Sequence, residues 1–106
     1  MKKGQVYFDK LFAGLISETD DGYMFSYNDD YIKNNNPPIS VTMPITQKDY
    51  FSKTLFSFFD GLIPEGWLLD IAIENWKIDY RNRMELLLTC CNDTIGAVSV
   101  RRISEE

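Results

Sequence analysis

The sequence predicts an α+β fold: a small, mainly antiparallel sheet of about five strands with two to three helices packed on it. Three observations carry this expectation. Between residues 6 and 43, short stretches alternate apolar and polar side chains, the period of a half-buried strand. Between residues 55 and 91 the apolar residues change to the three- and four-residue spacing of helices. The period of two then returns from Gly96 to Ile103, so the order is strands, helices, strand. A chain of 106 residues is large enough for one core and too small for two, and it shows no internal repeat or linker. Residues 1–106 are therefore expected to form a single domain.

Val6-Tyr7-Phe8 and Leu11 to Ile16 predict two strands joined at Asp9-Lys10, a dipeptide that is not among the strongest hairpin signals. Asp20-Asp21-Gly22 is a better turn. After it, Tyr23, Phe25 and Tyr27 alternate with Met24 and Ser26, which extends the chain into a three-stranded meander. Asn28 to Pro38 is polar and reads as a loop, clearest at Asn34-Asn35-Asn36-Pro37-Pro38. Ile39, Val41 and Met43 alternate with Ser40 and Thr42, predicting a fourth strand that Pro44 stops or pushes to an edge.

The helical half begins with Ser52 as a candidate cap. Leu55, Phe56, Phe58, Phe59, Leu62 and Ile63 then recur on one broad helical face. Asp60-Gly61 predicts a break, with Gly61 in the left-handed conformation that ends helices. Pro64 suits the first position of a new helix, and Glu65 sets a carboxylate against the positive end of its dipole. At about 100° per residue, Leu68, Leu69, Ala72, Ile73 and Trp76 share the core arc of that helix. Trp67 falls off the arc, between Ile71 and Glu74 and near Asp70. It either packs on a neighbouring loop or stands as a partly exposed aromatic anchor for a partner. Asp79 is a candidate cap for a further helix in which Met84, Leu87, Leu88 and Cys91 share a face, ended by Asn92-Asp93. In the closing strand Val98 and Val100 face inward, and Ser104-Glu105-Glu106 is a polar tail.

The residue inventory narrows the chemistry. A chain without histidine has no histidine general base, triad or metal ligand. Its six glycines are scattered, which leaves no phosphate loop. Asp20-Asp21 and Asp29-Asp30 sit in expected turns, where Asp is favoured for bonding its own backbone. Adjacent Cys90 and Cys91 disfavour a mutual disulfide and have no activating base in view. No catalytic residue, metal site or cofactor is expected, and the pattern fits an interaction module. A net charge of −5 argues against direct nucleic-acid binding. The apolar runs are too short to span a membrane, and Met1-Lys2-Lys3 is not followed by a signal-type apolar segment. A cytoplasmic protein is expected.

Three blocks carry a resemblance: Pro38-Ile-Ser-Val-Thr-Met-Pro44, Phe58-Phe-Asp-Gly-Leu-Ile-Pro-Glu65 and Asp93-Thr-Ile-Gly-Ala-Val-Ser-Val100. In order and spacing they resemble the N-terminal subdomain of the HipA family, and the Val6-Tyr7-Phe8 and Gly22 to Tyr27 stretches fit as well. The resemblance covers nearly the whole chain. HipA-type proteins are serine/threonine kinases that act as toxins of bacterial toxin–antitoxin systems, held by a small helix-turn-helix antitoxin, HipB. The chain stops a few residues after the Gly-Ala-Val strand, so ATP-binding and catalytic residues have no counterpart in it. A freestanding version resembles HipS, the small component of three-gene HipBST systems, whose kinase HipT is a separate protein. The resemblance implies an antitoxin that neutralises such a kinase, with a HipB-like partner in the same complex. The alternative is a non-inhibitory scaffold bridging kinase and repressor. The residues expected to meet the kinase are Phe59, Asp60, Pro64, Glu65, Gly66, Trp67, Asp70 and Ile71.

Overall fold

A computed structural model of the chain describes residues 2–63, 70, 74, 77, 79, 81–91 and 97–103. Five strands, β1 (Lys3–Phe8), β2 (Leu11–Thr19), β3 (Gly22–Tyr27), β4 (Asp49–Ser52) and β5 (Val98–Ile103), form one sheet in the order β4-β3-β2-β1-β5. Every neighbouring pair is antiparallel. Three helices are described with it: α1 (Asp29–Lys33), α2 (Ser57–Asp60) and α3 (Arg83–Cys90). This is the α+β arrangement that the change of period predicts.

The β1–β2 turn closes on Asp9 and Lys10, with φ of 47° and 73°. Positive φ at both central residues is the demand of a type I′ turn, met here without the usual Asn-Gly or Asp-Gly. Further along the same pair the register slips: Val6 faces Gly14 while Tyr7 faces Phe12, leaving Ala13 as the extra residue of a β-bulge. Ala13 and Gly14 are consequently both buried in succession. Gly14 is obligatory, since a Cβ there would lie 2.2 Å from the Ser26 carbonyl oxygen.

Period two sorts the sheet into two faces. Val6, Ile16, Phe25, Tyr27, Val98 and Val100 point inward and are buried, the last two as expected. Against them lie Phe59, Ile63 and the apolar side of α3, where Met84, Leu87, Leu88 and Cys91 share a face and are buried. Leu86 is buried too, so α3 is enclosed on more than its predicted side.

Five local expectations are corrected. Residues 39–43 are not a strand. The Tyr27 hydroxyl accepts from Ile39 N–H at 3.1 Å and donates to the Met43 carbonyl, while Met43 N–H closes a turn onto the Ser40 carbonyl. Ser40 and Thr42 hydroxyls bond each other, so local hydrogen bonding replaces a ladder. The fourth strand is Asp49–Ser52, which places Ser52 in the sheet opposite Tyr23 rather than at a helix cap. α2 starts after Phe56 with no side-chain cap and is one turn long. Gly61, at φ −68°, stays in the right-handed region, and the chain tightens through Leu62 and Ile63 by three-residue backbone bonds. The cap of α3 is Asn82, whose Oδ1 accepts from Glu85 N–H, while the Asp79 carboxylate accepts from Arg81 N–H in its own turn. The presumed loop 28–38 contains α1, packed through buried Tyr31, whose ring stacks on Tyr27 at 6.0 Å. The expectations for the helix after Pro64, Trp76, the Asn92-Asp93 end and the polar tail lie outside the described residues.

Candidate partner-binding surface

The helix corner expected to meet a partner is held from beneath by aromatic packing. Phe59 is 0% exposed and touches Phe25, Phe56 and Phe58 with ring centroids 5.3–6.1 Å apart. A side chain with no exposed surface has nothing to offer a partner in this conformation, so Phe59 anchors the corner to the sheet. Of the residues expected to meet a partner, it is one that the structure places in the core. The reason is the sheet itself: Phe25 is central in β3, and a helix laid across it buries the residue directly above.

Asp60 is half-exposed and accepts from Arg83 Nε at 2.7 Å, which ties α2 to the first turn of α3. The next link is Cys91, whose thiol donates to the Leu62 carbonyl at 3.3 Å. Burial pushes that thiol's pKa up to about 12, and burial also raises Cys90, so both remain protonated at neutral pH and neither is an activated nucleophile. Asp70 and Glu74 are exposed and helical, four residues apart on one side. The structure thus brings Asp60 to the surface beside α3 and leaves Asp70 open. Pro64, Glu65, Gly66, Trp67 and Ile71 lie outside the described residues.

A second ion cluster, Glu85 with Arg102 at 2.6 Å and Lys2 at 3.7 Å, joins α3 to the sheet edge. The Arg102 bonds hold the Glu85 carboxyl below its ordinary range, a sign of a structural clasp. Among the described residues no group of three or more His, Cys, Asp or Glu gathers to hold a metal ion. No helix among them is long and apolar enough to cross a membrane.

One surface feature escaped the sequence reading. The outer face of the sheet carries Leu15, Met24 and Phe51, and the 41–43 turn lifts Val41 to 94% exposure. The signal was the Tyr50-Phe51 pair with alternating neighbours Asp49 and Ser52, a four-residue strand too short for a window tuned to longer ones.

A five-stranded antiparallel sheet with helices packed on its inner face defines a small domain of α+β type. The comparisons give it a family. The model of the HipA N-terminal domain matches residues 4–101, and the chain belongs to that family. A Haemophilus influenzae relative, described only as an uncharacterized protein, is 36% identical over 101 residues, covering 95% of this chain and 92% of its own length. The solved N-terminal domain of HipA toxin superposes with a TM-score of 0.77 at 30% identity, over 100% of this chain and 96% of that one. The fold also recurs in a Shewanella oneidensis MR-1 toxin–antitoxin complex of HipA, HipB and operator DNA, with a TM-score of 0.73 at 24% identity. That match spans 92% of this chain and 23% of that one.

Proposed function

We propose that this protein works in a toxin–antitoxin system as an antitoxin that binds and neutralises a separate HipA-like (HipT) serine/threonine kinase, without being an enzyme itself. One observation carries the reading: the H. influenzae relative is matched over 92% of its length, so this domain exists there as nearly a whole protein. A HipA N-terminal domain standing apart from its kinase keeps the surface that a fused domain buries. In trans that surface pays for association, and a few well-placed anchors meet the cost. The docking surface is assigned to the corner of Asp60, Pro64, Glu65, Gly66, Trp67, Asp70 and Ile71, with Trp67 as anchor. The acidic Asp60 and Asp70 suit basic groups of a nucleotide cleft. A HipB-like helix-turn-helix protein completes the complex and supplies its contact with DNA, because a chain of net charge −5 is poorly suited to phosphate.

Co-expression with the cognate kinase tests the proposal. An antitoxin rescues growth when paired with the kinase alone, and Trp67→Ala weakens kinase binding by about 2 kcal/mol or more while the fold persists. A chain that binds the kinase but leaves it toxic is a scaffold, and the antitoxin reading then fails.

A further inference from the structure

β4 is an edge strand whose outward side carries unused pairing capacity. Its phase follows from one bond: Tyr27 N–H donates to the Lys48 carbonyl at 3.0 Å. Stepping by two along the register, the Phe25/Tyr50 and Tyr23/Ser52 pairs exchange backbone bonds. The backbone groups of Asp49 and Phe51 therefore point away from β3. The Gln47 side chain reaches the Asp49 carbonyl at 2.6 Å. Among the described residues no backbone bond from a turn or loop reaches Phe51. Natural edges of this kind attract further strands unless they are blunted.

The side chains say which strand fits. Phe51 is 57% exposed on the outer face, beside Met24, its partner on β3. Asp49 and Lys53 lie two residues to either side of it and are both exposed. Lys53 is the first residue past β4, at a bend, with its Cα 2.8 Å from where a Cβ on Gly22 would stand, so it stays beside the end of β3. The sign order Asp-x-Phe-x-Lys is self-complementary when reversed. An antiparallel copy centred on Phe51 sets Phe51 against Phe51, Asp49 against Lys53 and Lys53 against Asp49. Both cross-strand charge pairs are then favourable, and the two Phe51 residues exchange their free N–H and C=O groups.

We infer that β4 pairs with β4 of a second copy of this chain across a two-fold axis at Phe51, continuing two five-stranded sheets into one of ten strands. An unrelated strand satisfies the backbone equally well, but a two-fold related copy supplies both matching charges by symmetry alone. The inference is independent of the antitoxin reading, since it concerns the chain alone.

Sedimentation equilibrium of the full chain, from micromolar to millimolar concentration, reads the association directly. The wild type forms a concentration-dependent dimer of the 12.3 kDa protomer. Asp49→Lys and Lys53→Asp, each checked for its fold by circular dichroism, each weaken it by about tenfold or more, because each places two like-charge pairs across the axis. The double variant D49K/K53D restores it. In parallel, the Phe51 amide exchanges with solvent more slowly as concentration rises. A wild type that stays monomeric throughout overturns the inference. So does a dimer indifferent to the single swaps, or a double variant no better than either.

Discussion

Removing one oxygen atom, in Tyr27→Phe, separates the turn at residues 39–43 from the sheet. The Tyr27 ring is buried edge-on to Phe25 at 4.9 Å and stacked on Tyr31. Phe keeps that packing. What goes is a hydroxyl that accepts from Ile39 N–H and donates to the Met43 carbonyl, two groups on residues that are 5% and 2% exposed. A buried polar group stripped of its partner costs about 1–3 kcal/mol, so the pair costs about 2–4 kcal/mol after partial relaxation. That is a large share of the roughly 5–15 kcal/mol typical of a domain. It corresponds to a melting temperature lower by about 10–20 °C. Urea unfolding followed by circular dichroism measures the difference, and amide exchange at Ile39 locates it. A loss below ~0.5 kcal/mol, with Ile39 protection unchanged, would show that water or the backbone replaces the hydroxyl and that the turn has another support.

Three further outcomes follow from particular contacts. Gly14→Ala drives a Cβ to within 2.2 Å of the Ser26 carbonyl oxygen, a backbone atom that cannot swing away, and is expected to cost about 2 kcal/mol or more in chemical denaturation. Asp60→Ala breaks the clasp to Arg83, but both side chains are partly solvated, so its stability cost stays at or below about 1 kcal/mol. If kinase neutralisation falls well beyond that cost in the same variant, Asp60 belongs to the interface. Alkali should unfold the protein progressively: Tyr27 and Cys91 have folded pKa values raised to about 12 by burial, from ordinary values of 10.0 and 9.0. The unfolded chain releases these protons first, so stability is full below about pH 9 and falls as pH rises towards 12. Tyr27→Phe should flatten the part of that slope above pH 10; an unchanged slope refutes the assignment.

Wherever one residue's burial decided the structure, the sequence showed it. Val98 and Val100 inward, the α3 face of Met84, Leu87, Leu88 and Cys91, and the turn at Asp9-Lys10 all follow from spacing. The misreadings lie where a distant group outbids a local pattern. Ile39 and Met43 do point inward as an alternating strand requires, but the hydroxyl of Tyr27, twelve and sixteen residues away, takes the backbone groups that a ladder would use. Ser52 looked like a cap because Ser often caps, yet its place opposite Tyr23 is set by a strand pairing that no local signal records. Phe59 and Asp60 are neighbours in a conspicuous motif, but only the fold of Phe59 onto Phe25 tells the anchor from the surface residue.

The pairing of β1 with β5 has a mechanical consequence. Lys3 lies across from Ile103 and Phe8 across from Val98, so the strand that opens the sheet and the one that closes the chain's order run side by side in opposite directions. A load applied at Lys3 and Ile103 meets the ladder at its end and opens one pair at a time. The same load applied at Phe8 and Ile103 strains all the rungs of the ladder together. Resistance to pulling, by a translocating protease or in an optical trap, therefore depends on the point of attachment far more than on the overall free energy of the fold.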